Sequence, residues 1–200
     1  MVFDGMNLRM GGSTFLDNQE LKSYYGDVSG IIIENLPFWV EMRSTPNNKI
    51  SLMTEWESKI IAMANTSLRE DVTSLAGVPS WMLVLLQRVL ELSGKQNIAE
   101  VWPNLELYMH GGVNFEPYRE QYREIIGKDI NYLETYNASE GFFGIQDQKD
   151  SSEMLLMLDY GIYFEFIPMD KYEGTQSKTI GLSEVKIGPS YAVVITSNAG

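Results

Sequence analysis

The 200-residue chain contains no cysteine. Disulfide bonds, thiolate metal sites and a cysteine nucleophile are therefore excluded. The lack of cysteine fits a reducing compartment, and we expect a cytoplasmic protein. Histidine is almost absent too, because His110 is the only one. A lone histidine cannot form a multi-histidine metal site, and no pair of carboxylates near it has the spacing of metal ligands.

Long apolar segments and excess positive charge are also missing. The longest apolar run, Trp81 to Leu86, has six residues, whereas a transmembrane helix needs about 20. The N-terminus has no basic region followed by an apolar stretch, so no signal peptide is predicted. The formal net charge of −12 argues against nucleic acid and anionic membrane surfaces, since both attract clustered Lys and Arg. The sequence therefore predicts a soluble protein without either partner.

What is present is a globular composition, with 44% hydrophobic and 21% charged residues. The length suits one domain or a large part of a bigger one. The first 26 residues are rich in Gly, Ser, Asn and Asp, and we predict irregular structure there. Four helices are predicted. The first is capped by Asp27, passes Ile33 and ends before Pro37, and the second runs from Ile50 to about Leu68. The third runs from Pro79 to Ser93 and is stopped by Gly94, and the fourth carries Tyr118, Tyr122, Ile125 and Ile126 and ends at Gly127.

Strands are predicted between these helices and throughout the last third of the chain. They are Val72–Val78, Leu105–His110, Ile130–Tyr136, Met154–Leu158, Ile162–Ile167 and Tyr191–Thr196. The early alternation of helix and strand predicts an α/β layered domain with a largely parallel sheet. The last third, which has no predicted helix, indicates antiparallel or barrel-like strands.

Two loops follow consecutive predicted strands. Gly111-Gly112 ends the first strand, and the turn Asn137–Gly141 follows the second, with Tyr136 before it. Ligands of open α/β sheets bind beyond the carboxyl ends of the strands. Glycines let the backbone approach a planar ring, a tyrosine face stacks on such a ring, and a glutamate can bind Mg²⁺. The two loops suit a nucleotide, although Gly-Gly and Ser-Glu-Gly are also ordinary turn sequences.

The segment Tyr136-Asn-Ala-Ser-Glu140 resembles the Tyr-Gly-x-Thr-Glu signature of the adenylate-forming superfamily. Gly111-Gly112 is similar to the glycine pair that precedes this signature. More narrowly, four blocks resemble the auxin-responsive-promoter family of acyl-acid amido synthetases, in family order. They are Ala76-Gly-Val-Pro-Ser-Trp81, Val101-Trp-Pro-Asn-Leu105, Thr135-Tyr-Asn-Ala-Ser-Glu-Gly141 and Asp159-Tyr-Gly-Ile-Tyr-Phe-Glu-Phe-Ile-Pro168. The resemblance covers most of the chain from about Val72 and implies the layered large domain of an adenylate-forming enzyme.

The resemblance also implies a two-step reaction. A carboxylic acid attacks the α-phosphate of ATP, and an amine, commonly that of an amino acid, then displaces AMP from the acyl-adenylate. Tyr136 stacks on adenine by this reading, with Gly111 and Gly112 on the ring's other face. Ser139 contacts the α-phosphate, and Glu140 is the catalytic residue that holds Mg²⁺. The implied nucleotide-binding block also contains Thr135, Asn137 and Ala138.

The acyl-substrate pocket is less well defined by the sequence. The candidates for its lining are Val78, Trp81, Met82 and His110. Packing in the core explains the helical residues among them equally well, and a lone histidine is usually a structural residue. We therefore keep both interpretations open for these four positions.

The sequence also departs from the family pattern. The phosphate-gripping loop, rich in Ser, Thr and Gly and followed by Lys, is not found, and Gly11-Gly-Ser-Thr14 is interpreted as a turn because no lysine follows closely. Asn137 replaces the usual glycine. The ribose-binding Arg-x-x-Gly-Asp motif and the small C-terminal domain are also missing. We expect residues 1–200 to be part of a single N-terminal adenylating domain, inactive alone and prone to self-association through exposed core surfaces.

Two other functions stay open at this point. One is a non-catalytic module, or degenerate paralogue, that binds a nucleotide or an acyl ligand. The other is an acyl-coenzyme A ligase of the same superfamily, against which the four amido-synthetase blocks argue. ATP–pyrophosphate exchange distinguishes the first of these from an adenylating enzyme, because a binding module does not turn over.

Overall fold

The structure, a computed structural model, describes residues 4–16, 24–149, 151 and 153–198. The chain divides into two compact units. The first falls within residues 1–135 and 146–154, and the second within residues 136–145 and 155–200. The first unit contains the predicted alternation of helices and strands, and the second contains the predicted strand-rich region.

The first unit is a parallel sheet with helices packed on it. Its strands are β1 (Met6–Met10), β2 (Thr14–Leu16), β3 (Tyr24–Gly26), β4 (Ser44–Thr45), β5 (Val72–Gly77), β6 (Leu107–Gly111) and β7 (Asn131–Ala138), whose end beyond residue 135 belongs to the second unit. Its helices are α1 (Val28–Glu34), α2 (Phe38–Glu41), α3 (Asn48–Ser51), α4 (Trp56–Ser67), α5 (Pro79–Ser93) and α6 (Arg119–Ile126). The strands β4-β1-β5-β6-β7 pair in that order and are all parallel, which confirms the predicted sheet type. Strands β2 and β3 form a separate antiparallel pair.

Helix α5 has the predicted bounds and forms the centre of the core. Pro79 occupies its first turn, and Gly94 ends it with a φ of +68°, a left-handed conformation that glycine adopts readily. Met82 and Val89 are fully buried on it, and each contributes about 1.5–3 kcal/mol of hydrophobic stabilisation. None of the helices in the described part of the chain has the length and apolarity that crossing a bilayer requires.

The prediction of irregular structure for the first 26 residues is wrong for β1, which lies between β4 and β5 in the sheet, while residues 1–3 and 17–23 lie outside the described residues. Leu8 and Met10 belong to the hydrophobic core under the helices. Asn7, on the other face, donates from Nδ2 to Ser74 Oγ over 2.8 Å. The alternation of polar and apolar residues in β1 is a strand pattern. Strand β1 was not predicted because it is short and lies within a stretch rich in Gly and Ser.

The predicted helix from Ile50 to Leu68 is two helices, α3 and α4, with a break between them. The Glu55 carboxylate accepts hydrogen bonds from Glu57 N (3.1 Å) and Ser58 N (2.7 Å), so that α4 begins at Trp56. This N-cap satisfies amide groups that have no partner inside the helix. The apolar spacing continues across the break, and the periodicity alone therefore did not reveal it.

The predicted turn at Asn137–Gly141 is also shorter in the structure. Strand β7 continues through Ala138, and only Ser139 and Glu140 form the turn before the next strand begins at Gly141. Two residues are enough to join antiparallel strands. The first half of the predicted turn therefore stays extended.

The second unit consists mainly of antiparallel strands, as predicted. They are β8 (Gly141–Ile145), β9 (Leu155–Leu156), β10 (Tyr163–Pro168), β11 (Ile180–Gly181) and β12 (Tyr191–Thr196). Strand β10 pairs with β11 and β12, and β8 pairs with β9. The core of this unit contains Phe143, Ile162, Phe164 and Phe166. The strand predicted over Met154–Leu158 is thus reduced to two residues, whereas β12 has its predicted bounds.

Candidate functional site

The glycine pair lies at the carboxyl end of β6. Gly111 is the register partner of Thr135 in β7, and a Cβ atom on Gly111 would lie only 2.4 Å from the Thr135 carbonyl oxygen. Gly112 has a φ of +82°, and a Cβ atom there would meet only Val78, at 3.6 Å. Glycine is therefore required at position 111 for space and at position 112 for backbone conformation.

The aromatic and acidic residues of the predicted nucleotide site follow on β7 and its turn, in the second unit. Tyr136 is 53% exposed, and its ring lies 5.1 Å from that of Phe143, tilted by 59°. Ser139 and Glu140 are exposed in the turn. Among the described residues the Glu140 carboxylate has no ion-pair or hydrogen-bond partner. The ring of Tyr136 and the carboxylate of Glu140 are thus both exposed to a ligand in the solvent.

The four candidates for the acyl-substrate pocket occupy different environments. Val78 precedes α5 and lies beside Gly112. Trp81 is partly buried and packs edge-on against Trp56, with ring centroids 5.6 Å apart. Met82 is fully buried in the core. The structure thus brings Val78 next to the glycine pair, while Trp81 and Met82 take part in helix packing.

His110, the fourth candidate, is 3% exposed and lies in an aromatic cluster. Its ring is stacked on that of Phe115, with centroids 4.0 Å apart and planes inclined by 22°. Burial, and to a lesser extent the positive charge of Arg119, lowers the pKa of His110 to about 4. The imidazole is therefore neutral at pH 7. Among the described residues its buried Nδ1 has no hydrogen-bond partner.

Two buried tyrosines hold the start of α5 in place, a feature that the sequence did not reveal. The Tyr108 hydroxyl donates to the Gly77 carbonyl over 2.9 Å. The Tyr122 hydroxyl lies 2.8 Å from the Pro79 carbonyl oxygen and 3.1 Å from the Tyr108 hydroxyl. The rings are stacked 4.8 Å apart. This network fixes the backbone on both sides of Val78, next to Gly112.

The segment Gly11-Gly-Ser-Thr14 does have a lysine beside it, but the lysine comes from α4. Lys59 is 2% exposed, and its ammonium donates to the carbonyl oxygens of Gly11 (2.7 Å) and Gly12 (3.0 Å). The backbone amides of residues 12 and 13 already donate to the side chains of Ser29 and Asp27. A phosphate-binding loop presents free amides to its ligand. The arrangement here is therefore structural.

The lowered pKa of His110 predicts loss of stability in acid. The unfolded chain takes up this proton near pH 6.5, and the folded chain only near pH 4. Between these values the unfolded state binds more protons, so the free energy of unfolding falls as the pH falls, by roughly 3 kcal/mol in all. Urea unfolding at a series of pH values measures this loss.

The matched variant for this measurement is His110→Phe, which keeps a ring on Phe115 but cannot titrate. Its stability should change less between pH 6.5 and pH 4 than that of the wild type, by the same roughly 3 kcal/mol. Parallel curves for the two proteins would show that His110 is not the group responsible.

Comparison with known proteins identifies the family. Residues 3–130 match the GH3 family N-terminal domain, and residues 155–200 match the GH3 family central domain. The jasmonoyl–L-amino acid synthetase JAR4 of Nicotiana attenuata is 35% identical over 112 residues, which is 52% of this chain and 19% of that protein. The indole-3-acetic acid-amido synthetase GH3.3 of Arabidopsis thaliana is 28% identical over 151 residues, 72% of this chain and 23% of that protein.

A solved structure confirms the fold. The GH3.15 acyl acid amido synthetase superposes with a TM-score of 0.68 at 13% identity, over 96% of this chain and 42% of that one. The chain thus spans about a fifth to a quarter of these two curated relatives and less than half of this structure. The first domain match alone covers more than half of the 200 residues. The chain belongs to the GH3 family.

Proposed function

We propose that the chain is part of an ATP-dependent acyl-acid amido synthetase. In the first step the carboxylate of an acid attacks the α-phosphorus of ATP, giving an acyl-adenylate and pyrophosphate. In the second an amine, commonly that of an amino acid, attacks the acyl carbon and releases AMP. The observation that carries the proposal is the Gly111-Gly112 pair at the carboxyl end of β6, the end of a parallel sheet at which ligands bind.

The nucleotide-binding part of the proposal rests on the shape of the backbone. Because Gly111 and Gly112 carry no side chain, a planar ring can approach the backbone at the end of β6. The half-exposed ring of Tyr136 is suited to stack on adenine. Ser139, exposed in the turn, offers a hydroxyl to the α-phosphate. These side chains bind and orient ATP, and orientation is a large part of catalysis in reactions of this kind.

Glu140 is the residue that would hold Mg²⁺. No cluster of three or more metal-binding side chains occurs among the described residues, but Mg²⁺ bound to a nucleotide needs only one or two carboxylates besides phosphates and waters. The exposed carboxylate of Glu140, which has no ion-pair partner in the described part of the chain, fits that requirement. Bound Mg²⁺ would neutralise charge on the departing pyrophosphate.

We also propose that the 200 residues do not turn over alone. The chain spans only part of its relatives, and its sequence shows no phosphate-gripping loop or ribose-binding motif. In the longer enzyme that we envisage, Val78, beside Gly112, would contact the acyl group of the acid. The carbonyl anchors provided by Tyr108 and Tyr122 would keep that contact in position.

ATP–pyrophosphate exchange with a panel of carboxylic acids tests the proposal. It is measured on this chain and on the longer gene product to which we assign it. The longer form should catalyse exchange, and Glu140→Ala should reduce the rate by about 100-fold, comparable to the loss of one transition-state contact in other enzymes. Glu173→Ala, which removes another exposed carboxylate of the second unit, is the matched control and should leave exchange unchanged.

The opposite outcomes are equally informative. Absence of exchange in both folded forms would reject the synthetase and favour a non-catalytic module that binds a nucleotide or an acyl ligand. Exchange that survives Glu140→Ala would reject the role of Glu140. Exchange by the 200-residue chain alone would reject its proposed inactivity.

A further inference from the structure

An apolar pocket lies beside α2 on the second face of the parallel sheet, within the first unit. Its volume is about 310 Å³, and its lining includes Asn7, Trp39, Val40, Arg43, Leu107 and Met109. Side chains alternate between the two faces along a strand, and Asn7 and Leu107 are both register partners of Ser74. These residues therefore lie on the face opposite to Leu8, which packs with α4 and α5.

Polar side chains of the lining already have partners. The Asn7 amide donates to Ser74 Oγ over 2.8 Å, and Ser44 Oγ donates to the Val40 carbonyl over 2.7 Å. Because a polar ligand would have to replace these hydrogen bonds, the pocket is suited to an apolar group. The bond from Ser44 also attaches α2 to β4, so that the wall formed by Trp39 and Val40 is held in place.

Helix α2 and the residue after it expose three large apolar side chains beside this pocket. Phe38 is 74% exposed, Trp39 70% and Met42 62%. Exposed apolar side chains are common singly, but a contiguous group of them marks a site of interaction. Aromatic residues and methionine are also the residue types that are enriched in protein interfaces. The α2 patch, formed by Phe38, Trp39 and Met42, therefore indicates a docking surface for another protein chain.

The pocket is large enough for a ring of the α2 patch. An apolar cavity of about 150 Å³ binds benzene in another protein, and this pocket has about twice that volume. Phe38 is next to Trp39, which lines the pocket, so the patch and the pocket adjoin. In a dimer with two-fold symmetry each copy contributes the same surface. One two-fold axis beside α2 therefore allows each copy to insert Phe38 into the pocket of the other.

The charges beside the patch also complement one another across such an axis. Glu41 and Arg43 are both exposed, and in the described part of the chain neither of them forms an ion pair. Arg43 Nη1 donates to the Asp4 carbonyl over 2.8 Å, which positions the guanidinium without neutralising it. Two antiparallel α2 helices bring Glu41 of one copy to Arg43 of the other, twice. The contact therefore avoids local repulsion although the chain carries a net charge of −12.

We propose that two copies of this chain associate through the α2 patch, with Phe38 of each copy in the apolar pocket of the other. The exposed rings of Phe38 and Trp39 bury on the order of 600 Å² over the two copies. Met42 and the walls of the two pockets bring the total to about 1,000 Å², the size at which specific interfaces begin. Because this is the lower limit, we expect a weak dimer with a dissociation constant on the order of micromolar.

This interface goes beyond the proposed synthetase function. Leu107, in the pocket, is the first residue of β6, whereas Gly111 is the last. The pocket therefore lies toward the opposite end of the strand from the glycine pair. Association requires neither ATP nor a carboxylic acid and is measured without them, so a failure here leaves the exchange experiment unaffected.

Sedimentation velocity over a series of protein concentrations tests the proposal. The wild-type chain should convert from monomer to dimer as its concentration rises. Phe38→Ser should weaken association by about tenfold or more, as loss of a central aromatic side chain does in other interfaces. Phe38 is exposed in the monomer, so its replacement leaves the folded chain intact. Tyr163→Ser, which removes an exposed ring of the second unit, is the matched control and should associate like the wild type.

Cross-linking locates the interface independently. The chain has no cysteine, so a disulfide can form only between two copies of a cysteine that is introduced. Met42, directly after α2, lies near the proposed axis, and Met42→Cys should give a disulfide-linked dimer under mild oxidation. Tyr163→Cys should not, because a disulfide requires the two Cβ atoms to lie within about 4.5 Å of each other.

Four results would overturn the proposal. The first is a wild-type chain that stays monomeric at every concentration, and the second is association of Phe38→Ser at wild-type strength. The third is cross-linking of Met42→Cys no faster than that of Tyr163→Cys. The fourth is a longer gene product that stays monomeric while the 200-residue chain dimerises, because another segment of that product would then occupy the pocket.

Discussion

Gly111→Ala is expected to lower the free energy of unfolding by about 4 kcal/mol, more than the usual 1–3 kcal/mol for an added methyl group in a packed site. The reason is the identity of the nearest atoms. A Cβ atom at this position would lie 2.4 Å from the Thr135 carbonyl oxygen and 2.9 Å from the Thr135 hydroxyl. The carbonyl belongs to the paired strand β7 and cannot rotate away as a side chain can. The change therefore pushes β6 and β7 apart at the proposed nucleotide site.

Gly181→Ala is the control for this prediction. Gly181 has a φ of −77°, and the nearest atom to a Cβ there is a flexible glutamate oxygen at 3.8 Å. Urea unfolding should place Gly181→Ala within about 0.5 kcal/mol of the wild type. If Gly111→Ala were as stable as this control, the close packing of β6 against Thr135 would be wrong.

Elements with strong local signals could be predicted from the sequence. Helix α5 has Pro79 at its start and Gly94 at its end, and α6 ends at Gly127 with a φ of +76°. Each of these residues acts through its own backbone conformation, which needs no distant partner. The bounds of α5 and the end of α6 were therefore predicted correctly, whereas Tyr118, predicted within α6, lies just before its first residue.

Elements that depend on the rest of the chain could not be predicted in this way. Strand β1 is short and lies in a stretch rich in Gly and Ser, and pairing with β4 and β5 stabilises it as a strand. The break before α4 comes from the Glu55 cap, which interrupts an otherwise continuous apolar spacing. In both places a tertiary or side-chain contact determines the structure that periodicity leaves open.

Candidate site residues differ from cavity-lining residues in the same respect. The residues of the proposed nucleotide site, Gly111 and Tyr136 among them, stand in short motifs and were named from the sequence, and their roles stay predictions. The cavity lined by His110, Glu134 and Lys149 has no motif, because these residues lie on separate segments that only the fold brings together. Long-range register of this kind is not encoded in any local pattern.

The second large effect is expected in alkali and comes from the buried tyrosine pair. Burial raises the pKa of both Tyr108 and Tyr122 well above the ordinary value of 10. Above pH 10 the unfolded chain loses these two protons while the folded chain keeps them. The folded state then binds more protons, so stability falls as the pH rises. Together the two hydroxyls lower the free energy of unfolding by about 2.7 kcal/mol per pH unit, or by about 5 kcal/mol over two pH units.

Single replacements separate this effect from that of other alkaline groups. Tyr108→Phe and Tyr122→Phe each remove one protected proton and should each reduce the slope of unfolding free energy against pH by about 1.4 kcal/mol per pH unit. Tyr172→Phe, at an exposed position, should leave the slope unchanged.

Each buried variant also loses one carbonyl anchor next to Val78, so it should be less stable at neutral pH by about 1 kcal/mol or more. Parallel pH profiles for wild type and both buried variants would mean that the folded protein ionises these hydroxyls as readily as the unfolded chain. In that event the Tyr108–Tyr122 network could not be what holds the start of α5 beside the glycine pair.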